Sequence, residues 1–172
     1  LGRIGLQIAR RAGGFDMTIL YHNRKERTDL PEEIDARYVS MDKLLEQSDY
    51  VILSCLLTAD TEKLIGKREL DLMKPTATLV NVARGGVVDT DALTAALAEG
   101  SIYHAALDVT DPEPIPVDDP LLTLDNLIIS PHIGSASLDT RRATCLMAAR
   151  DLVAGLQGEA MEHCANPEVY QA

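Results

Sequence analysis

Short apolar runs and helix-period patterns alternate along most of the chain. Residues 17–21, 50–53, 78–82, 105–107 and 127–129 are brief runs of strand character. Between them lie helical patterns. Ile8, Ala9 and Ala12 recur at helical spacing within 5–12, Ser40 is placed to cap a short helix through Gln47, and 66–73 ends ahead of Pro75. Asp89 or Thr90 caps the next pattern, 92–99, and Gly100 supplies its stop. The longest pattern is 139–156, with Leu146, Ala149, Leu152 and Val153 on one face and Gly158 beyond its end. Pro112, Pro114, Pro116 and Pro120 mark 110–120 as an irregular loop. This alternation predicts an α/β fold, a doubly wound parallel sheet covered by helices on both faces.

Three of the strand runs end in groups suited to handling an anionic substrate. Arg84 follows 78–82 in Asn81-Val82-Ala83-Arg84-Gly85-Gly86, Glu113 lies past 105–107 in a proline-rich loop, and His132 follows 127–129 between Pro131 and a glycine turn. Open α/β sheets bind ligands at the carboxyl ends of their strands. A guanidinium can hold a carboxylate through two hydrogen bonds. An imidazole can move a proton near neutral pH, and a carboxylate held between prolines can orient it and favour its charged form. Together they read as a site for reducing a 2-oxo acid, with no metal needed because Arg84 and His132 polarise the substrate. Each also has a plainer reading, as a solvated loop arginine, a surface carboxylate or a histidine satisfied by a carbonyl. His22, His104 and His163 show that histidine alone says little here; His104 stands at the opposite sheet edge and reads as structural.

The first residues suggest a nucleotide loop. Leu1-Gly2-Arg3-Ile4-Gly5 has the form of the tail of a G-x-G-x-x-G turn, whose first glycine and preceding strand would lie ahead of Leu1. Such glycines let the backbone approach a pyrophosphate at a helix N-terminus. The fold is therefore expected to be Rossmann-like and truncated before its first strand. That strand would be central, so its two neighbours are expected to lack a partner. Eighteen residues after Gly5, where NAD-binding domains usually place Asp or Glu, stands Asn23, followed by Arg24, Lys25 and Arg27. A carboxylate would repel a 2′-phosphate, whereas an amide beside guanidinium groups attracts one. The position predicts NADP (NADPH preferred over NADH), against the alternative of an ordinary solvated basic turn.

Composition narrows the partners. The 172 residues are 46% hydrophobic and 25% charged, as expected for a folded domain, and their net charge of −11 disfavours nucleic acid and anionic membranes. Aromatics at 3% leave no base-stacking platform. The charge is uneven: residues 1–37 carry seven basic and six acidic groups, so the acidic excess lies downstream and the basic groups gather near the glycine turn. Cys55, Cys145 and Cys164 have no C-x-x-C spacing, which points to a reducing, cytoplasmic setting.

The blocks NVARGGVVDTDAL at 81–93, ALDVTDPEPIPVDDPLLTLDNLIISPHIGSAS at 106–137 and AGLQGE at 154–159 resemble the D-2-hydroxyacid dehydrogenases, most nearly their glyoxylate/hydroxypyruvate reductase branch. The 29 residues from Arg84 to Glu113 and the 19 from Glu113 to His132 match that pattern. The resemblance implies catalytic roles for Arg84 (carboxylate clamp), Glu113 (support) and His132 (proton donor). It implies cofactor contacts from Gly2, Arg3, Ile4, Gly5, Asn23, Arg24, Cys55, Val82, Ala83, Asp108 and Gly134, with Asp108 toward the nicotinamide amide. Leu56 departs from the family, which commonly has proline there. Family members are about twice as long, so 1–137 is expected to be an incomplete dinucleotide-binding domain. Residues 138–172 then form a long helix and tail returning toward a mostly absent substrate domain, in a homodimer when full length. A nucleotide-sensing corepressor of the same fold, or a dehydrogenase for a different 2-hydroxy acid or a phosphite-type substrate, stands as the alternative.

Overall fold

The computed structural model describes residues 1–171, in two compact units that meet in sequence between Pro131 and His132. The first unit runs α1 (Arg3–Gly13), β1 (Ile19–Tyr21), β2 (Ala36–Tyr38), α2 (Met41–Gln47), β3 (Tyr50–Leu53), α3 (Lys67–Leu72), β4 (Thr78–Asn81), α4 (Thr90–Glu99), β5 (His104–Leu107) and β6 (Leu127–Ile129). Every strand pairing is parallel: β1 with β2 in one ladder, and β3-β4-β5-β6 in the other. Among the described residues no strand bridges β1 and β3. The ladder is thus interrupted at the place expected for a strand ahead of Gly2. Parallel pairing needs crossover connections, and α3 and α4 supply them between β3, β4 and β5.

The core lies against the four-stranded ladder. Leu45, Ile65, Leu70, Leu79, Leu93, Ile102 and Leu121 are at most 1% exposed, and each such side chain contributes about 1.5–3 kcal/mol on leaving water. Val51 and Leu53 on β3, Leu79 and Asn81 on β4, and Ala105 and Leu107 on β5 place their buried positions two apart, the period of a strand.

Most expected elements are present within a residue or two, and the differences have local causes. β2 lies outside the expected set: Ala-Arg-Tyr has no apolar alternation, and the strand exists through its register with β1, Tyr21 opposite Tyr38. β1 starts two residues late, leaving Met17 exposed. Asp89 rather than Thr90 caps α4, its carboxylate accepting from the Ala92 N–H at 3.2 Å, and Gly100 ends the helix in the left-handed region at φ 71°. Short 3-10 turns form at Gly85–Val87 and Pro120–Thr123, the second closing the proline loop.

The second unit contains α5 (Leu138–Leu156), capped by Ser137 through the Thr140 N–H. No residue of α5 is buried. The tail turns at Gly158 (φ 75°) and folds back on the helix, with the Glu162 N–H and His163 Nδ1 meeting the Asp151 carboxylate at 3.0 and 3.1 Å. Among the described residues no helix is long and apolar enough to cross a membrane.

The α4 cap gives stability a pH dependence. The Lys63 ammonium, 3.0 Å from Asp89, and then the Ala92 N–H hold the Asp89 carboxyl below its ordinary pKa. A carboxyl lowered in the folded state stabilises above its unfolded pKa and loses that contribution as pH falls through the folded value. Asp89→Asn keeps an acceptor for the cap but not the charge. It is expected to cost about 0.5–1 kcal/mol near neutral pH, with the difference from the parent shrinking below about pH 4. Urea unfolding across pH 2–7 checks this; a constant difference would show that the charge is not responsible.

Candidate functional site

The glycine turn meets the carboxyl ends of two strands. Gly2 is the residue before α1, extended at φ −95° and ψ −160°, with no side chain capping the helix. Arg3 and Ile4 are exposed on the first turn, and Gly5 is buried. A Cβ on Gly5 would sit 3.3 Å from Ser54 Oγ, just past β3. On the other side, past β1, Asn23 Oδ1 accepts from the Leu1 nitrogen and Arg27 Nη1 donates to the Leu1 carbonyl at 3.0 Å. The turn therefore stands between the ends of β1 and β3, the crevice in which such sheets bind ligands. Nothing lies within 4 Å of a Cβ built on Gly2. The uncapped first-turn N–H groups and the open space at Gly2 fit a dinucleotide pyrophosphate.

The basic turn after β1 is more differentiated than its composition suggested. Arg27 is engaged with Asp29, through Nε at 2.8 Å and Nη2 at 2.7 Å, while Arg24 and Lys25 are exposed. Cys55 is half-buried beyond β3, and burial pushes its thiol pKa up, away from a reactive thiolate.

The arginine loop is built by a residue that sequence reasoning passed over. Asn81 ends β4 and, among the described residues, is the one buried side chain outside the apolar and aromatic set, 1% exposed. Its Oδ1 accepts from the Ala83 N–H and its Nδ2 donates to the Arg84 carbonyl, both at 3.0 Å. The carboxamide thus closes the loop on itself, with Val82 bonded back to the Leu53 carbonyl at 3.2 Å. Arg84 is exposed, and its Nη1 donates to the Ala83 carbonyl at 2.7 Å.

The Arg84 loop and the loop carrying Glu113 are in backbone contact. A Cβ on Gly85 would fall 2.0 Å from the Thr110 carbonyl oxygen and 2.6 Å from the Asp111 nitrogen, so no side chain fits. Thr90 Oγ1 donates to the Asp111 carbonyl at 3.2 Å. From the other side, the Lys63 N–H bonds the Gly86 carbonyl at 2.8 Å, and Ile65 bridges Val88. Glu113 is exposed in the proline loop. Asp108 follows β5, donates its backbone N–H to the Asn81 carbonyl at 2.9 Å and accepts from Ser130 Oγ at 2.6 Å.

The first unit thus gathers the glycine turn, Asn23, Arg24, Cys55, Val82, Ala83, Arg84, Asp108 and Glu113 on strand ends or the loops leaving them. His132 and Gly134 belong to the second unit. His132 is exposed and has φ 52°, the left-handed region. For a residue with a side chain this costs about 1 kcal/mol, and such strain clusters at functional positions. Gly134 sits in the turn that the Ala136 N–H closes onto the Ile133 carbonyl at 2.9 Å.

This parallel sheet, glycine turn and interlocked pair of loops define a dinucleotide-binding domain of the dehydrogenase type. Residues 1–134 match the family model described as D-isomer specific 2-hydroxyacid dehydrogenase, NAD binding domain, and the chain belongs to that family. It is 48% identical over 170 residues to a protein of Pectobacterium atrosepticum named glyoxylate/hydroxypyruvate reductase B, covering 98% of this chain and 53% of that one. Among solved structures, it resembles a protein of Thermus thermophilus (43% identity, TM-score 0.88, covering 94% of this chain and 50% of that one). It also resembles an NADPH-dependent glyoxylate/hydroxypyruvate reductase of Sinorhizobium meliloti in complex with NADP and malonate (38% identity, TM-score 0.87, covering 97% and 51%). The chain spans about half the length of the curated relatives it matches.

The Gly85 contact generates a test. Gly85→Ala forces the Thr110 backbone aside and is expected to destabilise by about 1–3 kcal/mol, the usual cost of overpacking. Amide exchange should accelerate at both 84–87 and 109–111. A variant as stable as the parent, with exchange unchanged at Thr110, would contradict the interlock.

Proposed function

We propose that the whole protein reduces a small 2-oxo acid, glyoxylate or hydroxypyruvate, to the D-2-hydroxy acid with NADPH. The observation that carries this reading is the backbone contact of the Arg84 loop with the Glu113 loop, at the same sheet edge as the glycine turn. The relatives' names support the substrate class.

Gly2, Arg3, Ile4 and Gly5 would hold the pyrophosphate through first-turn N–H groups and the positive end of α1. Asn23 and Arg24 would take the 2′-phosphate, and Cys55, Val82, Ala83 and Asp108 of the same unit would line the remainder, with a contact from Gly134 implied by the family resemblance alone. When bound, the nicotinamide supplies the hydride. Arg84 clamps the substrate carboxylate through paired hydrogen bonds and so directs its C2 carbonyl. His132 donates a proton to the oxygen of that carbonyl as negative charge develops there, with the supporting role that the family resemblance implies for Glu113.

In the full-length protein, His132→Ala is expected to lower turnover about a hundredfold or more, as for loss of a general acid. Arg84→Ala is expected to raise the KM for the oxo acid as well as lower the rate, with the KM for NADPH little changed. Glu113→Gln should lower turnover less than His132→Ala. Steady-state kinetics with glyoxylate and hydroxypyruvate decide this, and near-normal turnover in His132→Ala would refute the assignment.

Cofactor choice is tested separately. One lost charge-assisted contact corresponds to roughly ten- to a hundredfold in affinity. Arg24→Ala is therefore expected to cut the preference for NADPH over NADH by about that factor. Equal efficiency of the parent with both cofactors would rule the preference out.

A further inference from the structure

The turn that follows β1 is tied at both ends to tyrosine hydroxyls from two paired strands. Tyr21 and Tyr38 are register partners on β1 and β2, so their side chains share a face of the ladder. The ring centroids are 5.4 Å apart at 58°. Tyr21 is 4% exposed, and its Oη accepts from the backbone N–H of Arg27 at 3.1 Å. Tyr38 Oη donates to the carbonyl of Asn23 at 3.2 Å. The His22 ring stacks on Tyr38, its plane 16° away at 5.9 Å, and His22 Nδ1 lies 3.0 Å from the Val39 carbonyl. Residues 23–27 therefore run between two fixed points, with exposed Arg24 and Lys25 between them and Arg27 already held by Asp29.

We infer that Tyr21 and Tyr38 are positioning residues for cofactor choice, their hydroxyls holding the 23–27 turn in the form that presents Arg24 to a 2′-phosphate. This rests on the reading of Asn23 and Arg24 as the cofactor-choosing positions. Neither tyrosine need touch the cofactor. A long cationic side chain on a mobile turn loses conformational freedom when it binds an anion, and ordering the turn beforehand lowers that loss. NADH carries no 2′-phosphate, so its binding draws on the 23–27 turn only through the bonds of Asn23 and Arg27 to Leu1. Loss of a hydroxyl should thus appear as a selective defect toward one cofactor.

Tyr21→Phe and Tyr38→Phe keep the rings and remove only the hydrogen bonds. In the full-length protein, calorimetric titration with NADPH and with NADH, beside Arg24→Ala, forms the test. Each single variant is expected to raise the Kd for NADPH about two- to tenfold, the range of one hydrogen bond, and the double variant further. The Kd for NADH should stay within about twofold of the parent. Parallel weakening of both cofactors would mark general loosening and overturn the proposal. Unchanged NADPH binding in the tyrosine variants, with a clear loss in Arg24→Ala, overturns the positioning role of the tyrosines and leaves the cofactor reading standing. No loss in Arg24→Ala overturns both. If the double variant does not fold, the two single variants decide.

Discussion

The approach of the Gly85 backbone to the Thr110 carbonyl is the constraint on which the rest of the candidate site depends. At 2.0 Å from a notional Cβ, that contact admits only glycine. It sets how near the loop leaving β4 comes to the loop leaving β5, and hence how near Arg84 can come to the segment that carries Glu113. The ladder beneath is continuous across this junction. Val82 bonds back to β3 through the Leu53 carbonyl, Asp108 bonds to Asn81, and Ser130 bonds to Leu107. Neighbouring strands thus stay in register for a residue past their ends, and polar side chains leave from a rigid edge. A site carried on such an edge holds its geometry better than one on free loops.

Asn81 shows how a buried polar group can be retained without loss. A carboxamide withdrawn from water costs stability unless its donor and acceptor are both used. Here the acceptor takes the Ala83 N–H and a donor goes to the Arg84 carbonyl, two backbone groups that leave the sheet without strand partners. A turn that would otherwise need water is satisfied internally. The same residue lends its own carbonyl to the Asp108 N–H, linking the arginine loop to β5.

How much of this was legible in the sequence follows from how local each cause is. The strands Tyr50–Leu53 and Leu127–Ile129 carry their own apolar signal, and their observed bounds equal those expected. Gly100 and Ser40 announce a helix end and a helix start by chemistry that acts within one turn. β2 was illegible because Ala36-Arg37-Tyr38 becomes a strand only when Tyr21 lies opposite Tyr38. Arg84, Glu113 and His132 stand out as polar groups after apolar runs. Asn81, one residue inside such a run, does not, since its role lies in two backbone partners that exist only once the loop has closed. Gly85 is visible as a turn glycine, but its tight contact with Thr110 is 25 residues away in sequence. The basic residues Arg24, Lys25 and Arg27 look alike in sequence; the structure separates Arg27, engaged with Asp29 and Leu1, from exposed Arg24.

That separation bears on how a nucleotide-binding edge comes to discriminate. On the proposed reading, a pyrophosphate would be met by backbone N–H groups whose position is set by α1, by the packing of Gly5 against Ser54 and by the bonds of Asn23 and Arg27 to Leu1. Those groups read what NADH and NADPH share, so they cannot choose between them. Choice requires a side chain, and a side chain on an exposed turn is only as discriminating as the turn is fixed. In this chain the turn is pinned by Tyr21 and Tyr38 from within the two-stranded ladder, and Arg27 is withdrawn into a structural pair with Asp29. The exposed Arg24 that would meet a phosphate is carried by backbone held on both sides. On the proposed reading, affinity would rest mainly on the helix start and selectivity on the tyrosine-held turn.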